Sequence, residues 1–173
     1  MANADKPRGF KVGYTKHGGP AALNRYYASG TGAIYIGDPL SESTVTGHVK
    51  NIAASSADIP IGVAASYSSG TATTDEVLVY DDLQNTVFIG QDSGSAILGS
   101  SMTMALYDLT ITVSTASYRR LSSYEFNSAG TTHQIVKVID KVNRPDNAWG
   151  TNVDCYCEFV VDKFAHDEAN AGS

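Results

Sequence analysis

The stretch VDCYCEFVVDK at residues 153–163 places Val153, Cys155, Cys157, Phe159 and Val161 on one side of an extended chain. Asp154, Tyr156, Glu158, Val160 and Asp162 fall on the other. Side chains of a strand alternate between faces, so this period of two predicts a strand with one buried and one mostly wet face. Working outward, the same short apolar runs recur between turn formers every 8 to 12 residues, the spacing of a sandwich or barrel. Nine further strands are expected, at 23–28, 33–37, 45–51, 61–67, 76–81, 86–90, 101–106, 118–126 and 133–142.

Composition points the same way. Eighteen Ser, fifteen Thr, sixteen Gly and ten Tyr accompany abundant Val and Ile, while Glu, Lys and Leu, which fill surface helices, are scarce. The one Ala-rich stretch, 51–58, contains Ser55 and Ser56 and runs into Ile59-Pro60, which favours a turn or loop over a helix. At 173 residues the chain fits one domain with an extension. The expected fold is therefore all-β, an antiparallel barrel or sandwich of about 8–10 strands. Segments 66–74 and 91–101 and the tail read as loops or ends. The organisation predicted is an extended basic arm at 1–22, a single β domain at 23–166 and a flexible tail at 167–173.

Charge is distributed unevenly. The net charge is -6, which argues against nucleic acid as a partner. Yet the first 25 residues hold Lys6, Arg8, Lys11, Lys16 and Arg25 against Asp5 alone, leaving seven basic and seventeen acidic residues in the other 148. This segment carries Pro7, Gly9, Gly13, Gly18, Gly19 and Pro20, with Phe10, Val12 and Tyr14 alternating, and reads as extended and poor at burying itself. It is either an arm that docks on an acidic protein surface or an ordinary first strand preceded by a solvated tail. The start lacks the basic-then-apolar pattern of a secretory signal, and no run approaches the roughly 18 apolar residues of a membrane helix. A soluble, unexported protein with no membrane partner is expected.

Chemistry has few footholds. His17, His48, His133 and His166 lie in separate segments without metal-ligand spacing, and no metal or cofactor is expected. Cys155 and Cys157 share a strand face about 6.8 Å apart at Cα, so buried free thiols are favoured over a strained disulfide. The loop Gln91-Asp92-Ser93-Gly94-Ser95 resembles a protease nucleophile loop, but nothing around His48 supplies the matching histidine segment. Asp75-Glu76 and Asp81-Asp82 flank a short strand without the glycine-bearing loop of a calcium site, and Gly30-Thr31-Gly32 lacks the third glycine and the helix of a phosphate cradle. An enzyme is the least favoured class.

Four segments together carry a resemblance: the extended start, AIYIGDPL at 33–40, IPIGVAASY at 59–67, and RPDNAWGTNVDCYCEFVVDKFAH at 144–166. They resemble the small capsid decoration, or cement, proteins of tailed bacteriophages. In that group an arm leads to a strand ending in a Gly-Asp-Pro turn, here Gly37-Asp38-Pro39. An Ile-Gly-Val strand follows, here Ile61-Gly62-Val63, and the chain closes with a turn, here Asn147 and Gly150, before a final strand. The Ser/Thr-rich middle, 93–123, departs from the pattern.

The resemblance implies a β domain, often a homotrimer, that binds the outside of an expanded phage head and bridges major capsid protein subunits. It would be made in the host cytoplasm and end on the virion exterior. The expected contact residues are Arg8, Phe10, Lys11, Tyr14 and Lys16 in the arm, Arg25, Tyr26 and Tyr27 beyond it, and Trp149 at a turn. Of Tyr26 and Tyr27, neighbours on a strand, only one can face the core. Two alternatives remain: a tail-tube or head-tail connector subunit, and a glycan-binding sandwich contacting a host surface. The second is motivated by the tyrosines and Trp149, and requires coplanar exposed aromatics.

Overall fold

The structure, a computed structural model, describes residues 3–54, 58–94, 99–111 and 120–161. It is all-β. The first half supplies β1 (Lys11–Thr15), β2 (Asn24–Ala28), β3 (Pro39–Glu42), β4 (His48–Asn51), β5 (Pro60–Ala64) and β6 (Glu76–Tyr80). The second supplies β7 (Thr86–Gln91), β8 (Leu106–Ile111), β9 (Tyr124–Asn127), β10 (Val136–Lys141) and β11 (Asp154–Phe159). Strands β2-β4-β3-β5-β6 close into a barrel, and β1-β7-β11-β10-β8-β9 form an open six-stranded sheet. Every pairing is antiparallel except β2 with β4.

The stretch that fixed the fold class is central. Strand β11 lies between β7 and β10, and Cys155, Cys157 and Phe159 are buried while the alternate residues are half-exposed. Both thiols are free, and burial pushes each of them up, away from the reactive thiolate. They pack into the larger core with Phe10, Phe88, Tyr107 and Phe126. A second core fills the barrel, built on Ile34, Leu40, Val49, Val77 and Val79. Ile52, just past β4, and Val63 of β5 belong to the larger core, so the barrel wall is fastened to the sheet by apolar packing.

Four sequence expectations are corrected. Residues 33–37 are no strand: Ile34 and Ile36 make only isolated bridges, to Ser68 and Leu121, because Gly32 and Gly37 at positive φ bend the chain on both sides. The strand expected at 101–106 begins later. Ser100–Met102 is a 3-10 turn and Met104 is left-handed at φ 67°, so extension resumes only at Leu106. β3 went unread because it opens with Pro39 after Gly-Asp, a turn signal, although proline is tolerated as the first residue of a strand.

The fourth correction concerns the arm. Residues 11–15 are an edge strand paired with β7, bulged at Gly13, and Phe10 is 2% exposed. Its ring packs edge-on against Phe159 at 4.9 Å between centroids. Phe10 is thus a core residue and no exposed anchor. Gly90 makes this possible: a Cβ there would stand 2.4 Å from the Phe10 ring. Gly90→Ala is expected to cost about 1–3 kcal/mol by overpacking, read as a lower urea midpoint; an unchanged midpoint would show that the ring has room to move aside.

Candidate contact surface

Residues 3–10 run over the body as a strap with three fastenings. At its start Asn3 Nδ2 donates to the carbonyls of Ala148 and Thr151, each at 2.8 Å, and Ala148 N donates back to Asn3 Oδ1 at 3.0 Å. In the middle, Lys6 N donates to Gln91 Oε1 at 2.8 Å, and Gln91 Nε2 donates to the carbonyls of Ala4 and Asn152, each at 3.1 Å. At its end Phe10 N donates to Gly37 O at 2.9 Å. Gly9 there is left-handed at φ 67°, and a Cβ would stand 2.2 Å from that of Ser122, so only glycine fits.

Between the strap and the start of β11 lies a cleft of about 220 Å³. Lys6, Arg8 and Lys11 line one side, and Arg144, Asp146 and Asp154 the other. Arg144 is engaged: its guanidinium pairs with Asp154 and, through Nε, approaches Asp146 Oδ1 at 2.9 Å. Among the described residues Lys6, Arg8 and Lys11 have no carboxylate within 4.0 Å. Backbone bonds hold the strap in place, so these three side chains are presented outward.

The other expected contact residues divide between two faces. Tyr14 is 45% exposed and lies edge-on to Tyr156 of β11 at 5.5 Å. Just past the end of β1, Lys16 Nζ meets Glu158 of β11 at 2.7 Å and donates to Gln84 O at 2.8 Å, so its charge is spent within the chain. On the barrel Arg25 pairs with Glu76 at 3.3 Å. Tyr26 turns inward and its hydroxyl donates to Asp81 at 2.8 Å; that bond, more than burial, raises its pKa. Tyr27 points out, 43% exposed, with the His48 ring 6.0 Å away. Trp149 is half-buried against the larger core.

The structure therefore brings Arg8 and Lys11 together and leaves Tyr14, Lys16, Arg25, Tyr26, Tyr27 and Trp149 elsewhere. Sequence reasoning missed Arg144 as their neighbour. Nothing in its local sequence signals it, because the adjacency arises from β7 lying between β1 and β11. Lys6 was visible in the charge tally alone.

The remaining motifs have structural employment. His48 has both ring nitrogens against backbone carbonyls, of Thr46 at 2.9 Å and Thr73 at 3.0 Å, and lies in the barrel, whereas Ser93 follows β7 of the sheet. Asp75 Oδ2 accepts from Ser69, Thr71 and Ala72, which lowers its pKa, the Ser69 hydroxyl contributing most. Asp81 accepts from Asn24 and Tyr26, and Asp82 from Asn85. The exposed or half-exposed aromatic pairs are tilted: Tyr14 and Tyr156 by 68°, Tyr35 and Tyr67 by 55°. Neither pair offers the coplanar rings on which a sugar stacks. Comparison with protein-family models, with curated proteins and with solved structures finds no match for this chain.

Proposed function

We propose that the protein is a capsid decoration protein, which docks on the outside of an expanded phage head and ties major capsid protein subunits together. The observation that carries the reading is the strap: three neighbouring cations, without carboxylate partners among the described residues, held on a chain of net charge -6. A charged patch that its own acidic body leaves unneutralised suits docking on an acidic protein surface. The resemblance in segments 33–40, 59–67 and 144–166 supplies the identity of that surface.

The mechanism requires no reaction. A docked copy adds buried interface at a joint between subunits and raises the barrier to their separation. Because the strap is already fastened by Asn3, Gln91 and Phe10, docking loses little conformational entropy at this face. Copies bridging two subunits gain further from effective concentration, since the second contact is intramolecular.

Co-sedimentation with expanded capsids lacking the protein tests this. Saturable pelleting that weakens as salt rises is expected, and the triple variant Lys6→Glu, Arg8→Glu, Lys11→Glu should lose it by roughly tenfold or more. Tubes or rings formed by the purified protein alone would favour a tail-tube or connector subunit instead. Indifference to capsids would end the decoration reading.

A further inference from the structure

We propose that the cleft between the strap and β11 is a receptor for a carboxylate side chain of an acidic, extended peptide segment, with Arg144, Lys6, Arg8 and Lys11 as its ligands. The inference deepens the docking reading by naming the partner chemistry of that face, and it rests on that reading only for the identity of the protein that carries the segment.

Size sets the first limit. A cleft of about 220 Å³ accommodates a side chain or a short stretch of backbone, smaller than the pockets of roughly 300–1,000 Å³ that enclose drug-sized ligands and cofactors. Charge sets the second. Four cations and two acids line it, a local excess of positive charge on a negative chain. The Coulomb term therefore selects an anion at this place and repels one over most of the remaining surface.

Arg144 marks where the carboxylate sits. Asp154, whose side chain is 16% exposed, holds one end of the guanidinium and fixes its plane. Asp146 is 77% exposed and stands 2.9 Å from Nε, but the buried Nε–H makes no directed hydrogen bond to it. Because the Asp146 carboxylate is largely exposed, water screens its attraction to Arg144 and the pair contributes little. Asp146 is thus a loosely held internal carboxylate at the rim, and an incoming one that meets Nε–H in line and also reaches Lys6, Arg8 or Lys11 displaces it with a net gain in hydrogen bonding. The guanidinium stays in place throughout, because Asp154 is not the residue exchanged.

The flanking strand supports a peptide as the carrier. Lys11 opens β1, and with Ile89 of β7 and Asp154 of β11 it lines the cleft across three adjacent strands, a trough in which a short extended acidic segment can lie. Lys16, past the other end of β1, is already bound to Glu158, so the acidic anchor binds at the cleft end.

The probe is a capped hexa-glutamate peptide, titrated into the full chain by calorimetry at low salt, with free glutamate, inorganic phosphate and capped hexa-lysine in parallel. Saturable binding of hexa-glutamate alone is expected. The variant Lys6→Gln, Arg8→Gln, Lys11→Gln should weaken it by about tenfold. Asp146→Asn should strengthen it about threefold, because it removes the competing carboxylate at Arg144. Lys16→Gln, which breaks only the Glu158 pair, should leave it unchanged. Phosphate binding as tightly as the peptide, or a triple variant that binds normally, overturns the proposal. If the triple Gln variant loses the peptide while wild-type protein ignores capsids, the cleft stands and the decoration reading falls. If the triple Gln variant loses the peptide while capsids pellet both proteins equally, the cleft stands and capsid docking belongs to another face.

Discussion

Phe10→Ala lowers the stability of the protein by about 3–5 kcal/mol, the range for deleting a fully buried aromatic ring. The expectation follows from three facts about one residue: 2% exposure, edge-on contact with Phe159, and a place in the core that holds Phe88 and Cys157. Urea unfolding followed by the fluorescence of Trp149, the sole tryptophan, reads it, because that ring packs on the same core. Tyr14→Ala, four residues on and half exposed, should cost no more than about 1 kcal/mol. A Phe10→Ala protein within about 0.5 kcal/mol of wild type would mean that the strap is dispensable to the fold. The practical result is that Phe10 cannot be used to probe docking, since its loss disturbs the scaffold that presents Arg8 and Lys11.

The second large effect is a gain. Asp38, in the Gly37-Asp38-Pro39 turn, is 2% exposed and its pKa is raised to about 6, by burial first, against the opposing hydrogen bonds from Tyr35 N and the Ser122 hydroxyl. Its unfolded value is about 3.9, so between those values the native state binds the proton that the unfolded state has released. The sign is then fixed: Asp38 destabilises the native state at pH 7, and stability from this group rises as pH falls through 6 and levels off below about 4. Asp92, also buried and raised, acts with the same sign. Two pKa units correspond to about 3 kcal/mol. Asp38→Asn keeps an oxygen for Tyr35 N and removes the charge, so it should stabilise by about 2 kcal/mol at pH 7, with the gap to wild type closing near pH 4. Thermal melts at both pH values decide it. Equal stability at pH 7 would mean that water reaches the carboxylate.

Much of the fold was legible and the reasons are specific. Strands such as β6, β10 and β11 announce themselves because one face is buried and the other is not, which writes a period of two into the sequence. β1 was ambiguous because KVGYT alternates weakly, and as an edge strand bulged at glycine it buries little beyond Val12. Phe10 misled because the residues around it, Pro7, Gly9 and Gly13, are those of an exposed extended segment. In the fold, Gly9 serves to let the strap pass close to Ser122 and Gly37. Hydropathy cannot tell a glycine that loosens a chain from one that lets two backbones touch. The cleft was half visible: its strap cations stood out as a charge excess, whereas Arg144 depends on a sheet order that no local pattern encodes.

The order of strands also sets a sequence of events for a chain leaving the ribosome. Every strand of the barrel lies within residues 24–80, so that unit can close as soon as its own segment is available. The six-stranded sheet takes β1 from before the barrel and five strands from after it, and β1 can join only when β7 has arrived. Phe10 must wait longer, for Phe159 of β11, and Asn3 for the carbonyls of Ala148 and Thr151. Residues 3–15, made before the barrel, are therefore among the last to settle, and the barrel behaves as a unit inserted between β1 and β7, which neighbour each other in a late-closing sheet. A nascent chain cut short before β11 would carry a finished barrel and a basic, aromatic N-terminal segment with nowhere to pack, a species prone to aggregate until translation is complete.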